Sequence, residues 1–181
     1  MTPMPPEMNN SPTRRAWLKL AAGLPLAAAL SACGAVSGAK SLLGLSPSPV
    51  EPDWKALALS TADDANANSA VAVDVVLVKD TTVLESLLAM PAAKWFSSRA
   101  DLQRSFPDAL TVYAYELAPA QTVRIDPRQW NGQRAWAALV FANYLSPGEH
   151  RARLMLNTPG YVVRLNAQGF AVNDIKSGAA L

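Results

Sequence analysis

Cys33 is the only cysteine in the 181-residue chain. It stands in Leu30-Ser31-Ala32-Cys33-Gly34, at the end of an apolar stretch. A thiol behind small residues at that place is the pattern of a bacterial lipobox. Its chemistry is attachment of a diacylglyceryl group to the sulfur, cleavage before the cysteine, and acylation of the freed amine. The other reactive side chains form no comparable constellation. His150, the single histidine, sits in Gly148-Glu149-His150-Arg151 with no serine elbow nearby, so a Ser-His-Asp system is not indicated and a solvated loop histidine is expected. Asp53, Asp63 and Asp64 are followed by no twelve-residue calcium loop. Glu85 and Glu116 are isolated, and no Gly-rich phosphate loop is present. No catalytic residue, metal site or cofactor is expected beyond the covalent lipid on Cys33.

The elements before Cys33 fit an export signal over residues 1–32. Residues 1–19 are polar and carry Arg14, Arg15 and Lys19; residues 20–30 are almost all Ala, Leu, Gly and Pro. That stretch is well short of the ~20 residues a helix needs to span a bilayer. Thr13-Arg14-Arg15-Ala16-Trp17-Leu18-Lys19 resembles a twin-arginine motif, with Arg14 and Arg15 as the residues read by the export receptor. An ordinary basic segment for the general secretion route is the alternative. Gly34 after the cysteine, in place of the Asp that retains such proteins at the inner membrane, points to outer-membrane sorting. Acyl chains burying CH₂ groups at ~0.8 kcal/mol each would hold the protein there.

Removal of residues 1–32 changes the charge. Of 16 Lys and Arg and 14 Asp and Glu, three bases (Arg14, Arg15, Lys19) and one acid (Glu7) lie in the signal, leaving 13 of each sign. A neutral domain without clustered cations is a poor match for nucleic acid. With no second cysteine, a disulfide is excluded and the core must hold the fold. Residues 33–53, rich in Gly, Ser, Ala and Pro, read as a lipidated flexible tether, and residues 54–181 as one domain.

Within that domain the periodicity is mostly two. Residues 54–61 alternate weakly. Thr61 to Ser69 is polar and Asn/Asp-rich, a loop composition. Ala70 to Lys79 is the clearest strand, with an apolar face at Val71, Val73, Val75 and Leu77; with the segment before it, a long-looped hairpin is expected. From Asp80 the period becomes helical: Val83, Leu84, Leu87 and Leu88 share a face, Asp80, Thr81 or Thr82 caps it, and Pro91 interrupts before a helical pattern that runs to about Ser105. Strands follow at 110–117, 121–125, 134–144, 151–156, 161–165 and 170–172, the last two as a hairpin across a turn-rich joint. Trp95, Phe96, Tyr113, Tyr115, Trp136 and Phe141 have core-like spacing rather than that of a carbohydrate platform. The order predicts a mainly β protein, a two-sheet β-sandwich with a short helical insertion.

A lipobox ahead of a first strand, an Asn/Asp-rich loop entering a Val-rich strand that ends Leu77-Val78-Lys79-Asp80, and a helical insertion carrying Trp95-Phe96 together resemble TssJ, the outer-membrane lipoprotein of type VI secretion systems. Asn66-Ala67-Asn68-Ser69 stands where that family carries Asn-Pro and Gly-Arg-Pro. The resemblance implies a transthyretin-like sandwich, a lipid-anchored place on the periplasmic face of the outer membrane, and docking of the periplasmic domain of TssM. It also implies that the loop between the first two strands is part of the contact, which places Asp63, Asp64, Asn66, Asn68 and Ser69 at the partner. A lipid-anchored hydrolase lacks its catalytic residues here. A periplasmic carrier or assembly lipoprotein unrelated to type VI secretion is the alternative.

Overall fold

The computed structural model describes residues 47–175. The export signal, with Arg14 and Arg15, and the lipobox with Cys33 lie outside the described residues. Eight strands form two four-stranded sheets. One has the order β4 (Thr122–Ile125), β1 (Ala56–Thr61), β7 (Gly160–Leu165), β8 (Phe170–Asp174); the other runs β3 (Leu110–Leu117), β2 (Val71–Val78), β5 (Ala137–Asn143), β6 (Arg151–Leu154). Every pair is antiparallel except β1 with β7, which is parallel from Ala56–Gly160 to Thr61–Leu165. The expected mainly β two-sheet sandwich with a helical insertion is what the chain forms.

The run Val71–Val78 is apolar on both faces, Asp74 apart, because both are covered. Val71, Val73, Val75 and Leu77 face the other sheet and pack with Leu57, Leu59, Val140, Val163 and Leu165. Val76 and Val78 face the opposite way, under α1 (Thr81–Leu88) and α2 (Ala92–Ser105). A sheet-on-sheet core and a sheet-on-helix core are therefore stacked through one sheet. Of the three candidate caps, Asp80 is the one that caps α1: its carboxylate accepts from the backbone N–H of Thr82 and Val83 at 2.8 and 2.9 Å. Such a cap is worth about 1 kcal/mol. Four of the core-spaced aromatics, Trp95, Phe96, Trp136 and Phe141, pack beneath the helices, while Tyr113 and Tyr115 flank the inter-sheet core.

Two expectations are corrected. β1 and β2 are not a hairpin: they lie in different sheets, and the segment between them crosses from one to the other. β1 takes β4 and β7 as partners because its apolar Leu57 and Leu59 then face the inter-sheet core. The last residues of the expected 33–53 tether are bound to the domain. Val50 pairs with Ala135 through two 2.9 Å backbone bonds, and Asp53 donates its N–H to the Leu156 carbonyl at 2.7 Å.

Candidate functional site

Strand directions bring four connections to one end of the sandwich: residues 62–70, 118–121, 144–150 and 166–169. Hydrogen bonds join them into one surface. Thr61 Oγ1 donates to the Ala118 carbonyl at 2.6 Å and accepts from the Gln121 N–H at 2.9 Å. The N–H groups of Asn66 and Ala67 donate to the carbonyls of Asn166 and Ala167. Ser146 Oγ donates to the Gln168 carbonyl at 3.3 Å.

The first connection is a tight crossover rather than an open loop. Residues Ala65–Asn68 make a single turn in which Asn66, Ala67 and Asn68 have φ of 49°, 55° and 60°. Three consecutive non-glycine residues in the left-handed region are unusual. Asn tolerates it through local side-chain bonding, but an alanine there costs roughly 1–2 kcal/mol. The surroundings hold the turn in place: Ala65 is fully buried, and Asn66 is 2% exposed. The Asn66 side chain donates from Nδ2 to the Ala70 carbonyl at 2.8 Å, and its Oδ1 accepts the N–H of Leu145 at 2.7 Å.

The five loop residues named from sequence therefore separate. Asp63, Asp64 and Asn68 are exposed and Ser69 is half-buried. Asn66 is buried and its amide is used internally, so a polar letter inside a loop composition stands for a structural tie. The same two bonds tie this polar segment to the body of the domain.

Sequence reasoning did not single out the neighbour of this turn, Leu145. It is 72% exposed and follows Tyr144, whose ring is buried and whose hydroxyl donates to the Gly169 carbonyl at 2.6 Å. Burial pushes the Tyr144 phenol up to about 12. His150 is not the free loop histidine expected. It is half-buried at φ 41°, stacks on Tyr144 with ring centroids 4.5 Å apart, and its Nε2 lies 2.9 Å from the Ser146 carbonyl.

The chain enters the domain at the opposite end. Val50 sits beside Ala135 just before β5, and the Pro49 carbonyl accepts from Arg134 Nη2 at 2.7 Å. Trp54, Trp130 and Tyr161 pack edge-to-face there. Among the described residues, no group of three or more His, Cys, Asp or Glu could hold a metal ion, and no helix is long and apolar enough to cross a membrane.

The structure is similar to solved components of type VI secretion systems. The lipoprotein TssJ1 of Pseudomonas aeruginosa is 14% identical with a TM-score of 0.49, over 67% of this chain and 95% of that one. Lip of Serratia marcescens, a membrane-bound component of the system, is 14% identical at 0.47, over 66% and 96%. A structure of the TssM C-terminal domain from EAEC gives 16% at 0.47, over 66% and 97%. No protein-family model and no curated protein sequence matches the chain. The first two structures are of the kind of lipoprotein the sequence resembles.

Proposed function

We propose that this protein is an anchored docking module of a type VI secretion membrane complex. Lipid on Cys33 holds it at the periplasmic face of the outer membrane, after export directed by Arg14 and Arg15. The loop end of the sandwich then receives the periplasmic domain of TssM through Asp63, Asp64, Asn68 and Ser69. One observation carries the reading: the four-loop surface lies at the end of the domain opposite the entry of the chain. A lipid attached on the N-terminal side of Val50 therefore pulls on the far end and leaves the loops free to meet a partner. The strained left-handed turn at that surface supports it, since backbone strain persists where surroundings over-determine it and clusters at sites of function.

The test is capture of the TssM periplasmic domain, from the organism that encodes this chain, by the mature lipidated protein in detergent. Saturable binding is expected. Absence of binding by the wild-type protein rejects the reading.

The carrier reading keeps one observation of its own. An open groove of about 570 Å³ lies between α1 and α2, with Val83, Leu87, Met90, Leu102 and Phe106 among its lining and Lys79, Asp80 and Asp108 also on its wall. Native mass spectrometry that finds an apolar molecule retained in stoichiometric amount, with no TssM binding, would favour it.

A further inference from the structure

We propose that Leu145 is the apolar anchor of this docking surface, and that the partner meets it with an apolar socket rimmed by basic groups. The inference rests on the docking role assigned above to the loop end. Among the described large hydrophobic side chains, four are exposed: Val50, Phe106, Leu145 and Met155. Val50 and Met155 lie at the end where the chain enters and Phe106 lines the helix groove. Only Leu145 stands among the four loops, and it is the most exposed of the set.

Its backbone is fixed on both sides. The Leu145 N–H is held by buried Asn66. Tyr144 is pinned to Gly169 and stacked on His150, and Ser146 is bonded to Gln168 and His150. A leucine on a mobile tip would lose chain entropy on binding. One on a fixed main chain loses little, and preorganisation of that kind converts buried area into affinity. A few residues seated in desolvated pockets carry most of an interface's energy while the contacts around them contribute complementarity.

The rim is acidic. The four connections contain Asp63, Asp64 and Glu149 and no Lys or Arg. Glu149 has a partner in Arg151 at 3.3 Å, whereas Asp63 and Asp64 are exposed. A second copy of this chain would bring carboxylates against carboxylates, and an anionic headgroup surface would be repelled, so charge complementarity selects a protein with Lys and Arg around its socket.

The experiment measures association and dissociation rates of the mature chain with the TssM periplasmic domain, for wild type, Leu145→Ser, Leu145→Met and the pair Asp63→Asn with Asp64→Asn. Leu145→Ser should weaken binding at least about tenfold, mainly through faster dissociation, with an unchanged melting temperature. Leu145→Met should restore most of the affinity. The paired neutralisation should slow association and flatten its salt dependence. Tight wild-type binding that Leu145→Ser leaves within twofold overturns the anchor and leaves the docking reading standing. Faster association after neutralisation overturns the basic rim. Loss of self-association in Leu145→Ser, with TssM binding intact, reassigns the patch to a second copy. A wild-type protein that does not bind overturns both proposals.

Discussion

Asp74, in the middle of β2, accepts a hydrogen bond from Trp95 Nε1 on α2 at 2.8 Å. The same carboxylate takes both of its remaining contacts from Arg99 Nη1, at 2.9 and 2.7 Å. Asp74 is fully buried, and Arg99 lies 5.2 Å from the Phe96 ring centroid while reaching solvent. Trp95 stacks on Phe141, which is directly opposite Asp74 across the sheet. One carboxylate thus fixes where the helical layer sits. Removing one member of a buried pair strands the other, at a cost of several kcal/mol when both are enclosed. Because Arg99 is partly solvated, Arg99→Ala should cost roughly 2–3 kcal/mol in urea unfolding, as Asp74 has no route to water. Asp74→Asn should cost less, since the amide oxygen still serves Trp95 and Arg99 can turn outward. The reverse ranking would show that the pair is not what positions α2.

Gly160 begins the parallel pairing of β7 with β1, opposite Ala56. It has φ +148°, and a Cβ there would lie 1.8 Å from the Ala56 carbonyl oxygen. No side-chain rotation relieves a clash with backbone, so Gly160→Ala should abolish the soluble folded protein or lower its melting point severely. Gly132 is the control. Its φ is +75° but a Cβ there would meet nothing within 4 Å beyond its own chain neighbours, so Gly132→Ala should cost only the left-handed strain, about 1–2 kcal/mol. Equal melting temperatures for the two variants would contradict the close approach of β1 and β7.

The Tyr144 phenol is raised from 10.0 to about 12 by burial. In the unfolded chain it would ionise near its ordinary value, so the two states differ in protons bound only above that pH. Stability is therefore untouched by this group below pH 10 and falls as pH rises from 10 towards 12. Tyr144→Phe should make the alkaline slope shallower, leaving the part that comes from Tyr113 and Tyr115, whose phenols burial also raises, while losing the bond to Gly169 at all pH values. Denaturant midpoints at pH 8, 10 and 11 test the sign; parallel losses in both proteins would place the slope elsewhere.

How much of this could be read in the residues differs by element. Strand positions were legible because alternation and Val density report burial directly, and the cap of α1 was legible to within Asp80, Thr81 and Thr82 because they open a helical period. Strand partners were not. Whether β1 pairs with β2 or with β4 and β7 depends on contacts such as Leu59 with Val123 and Val163, remote in sequence. Asp74 inside a Val run carries no local sign of its ion pair, since Arg99 lies a helix away. Within the site, Asp63, Asp64 and Asn68 behave as loop residues should. Asn66 does not, because a buried amide and an exposed one have the same letter. Leu145 was passed over because a lone leucine beside Ser146-Pro147-Gly148 carries no periodic signal.

Asn66 supplies the final test, in which backbone and side chain are separated. Asn66→Ala removes both amide bonds and places alanine at φ 49°. Losing a satisfied buried amide leaves the Leu145 N–H and the Ala70 carbonyl to find other partners, at about 1–3 kcal/mol, and the left-handed strain adds roughly 1–2 kcal/mol. Asn66→Gly loses the same bonds but relieves the strain. The alanine variant should therefore be less stable than the glycine variant by about 1 kcal/mol or more, with both below wild type in thermal unfolding. Both should also free the Leu145 amide, measurable as faster hydrogen exchange at that residue while the β2 amides stay protected. If Leu145 exchanges at the wild-type rate in a folded Asn66→Gly protein, the bond from Asn66 is not what holds the exposed leucine in place.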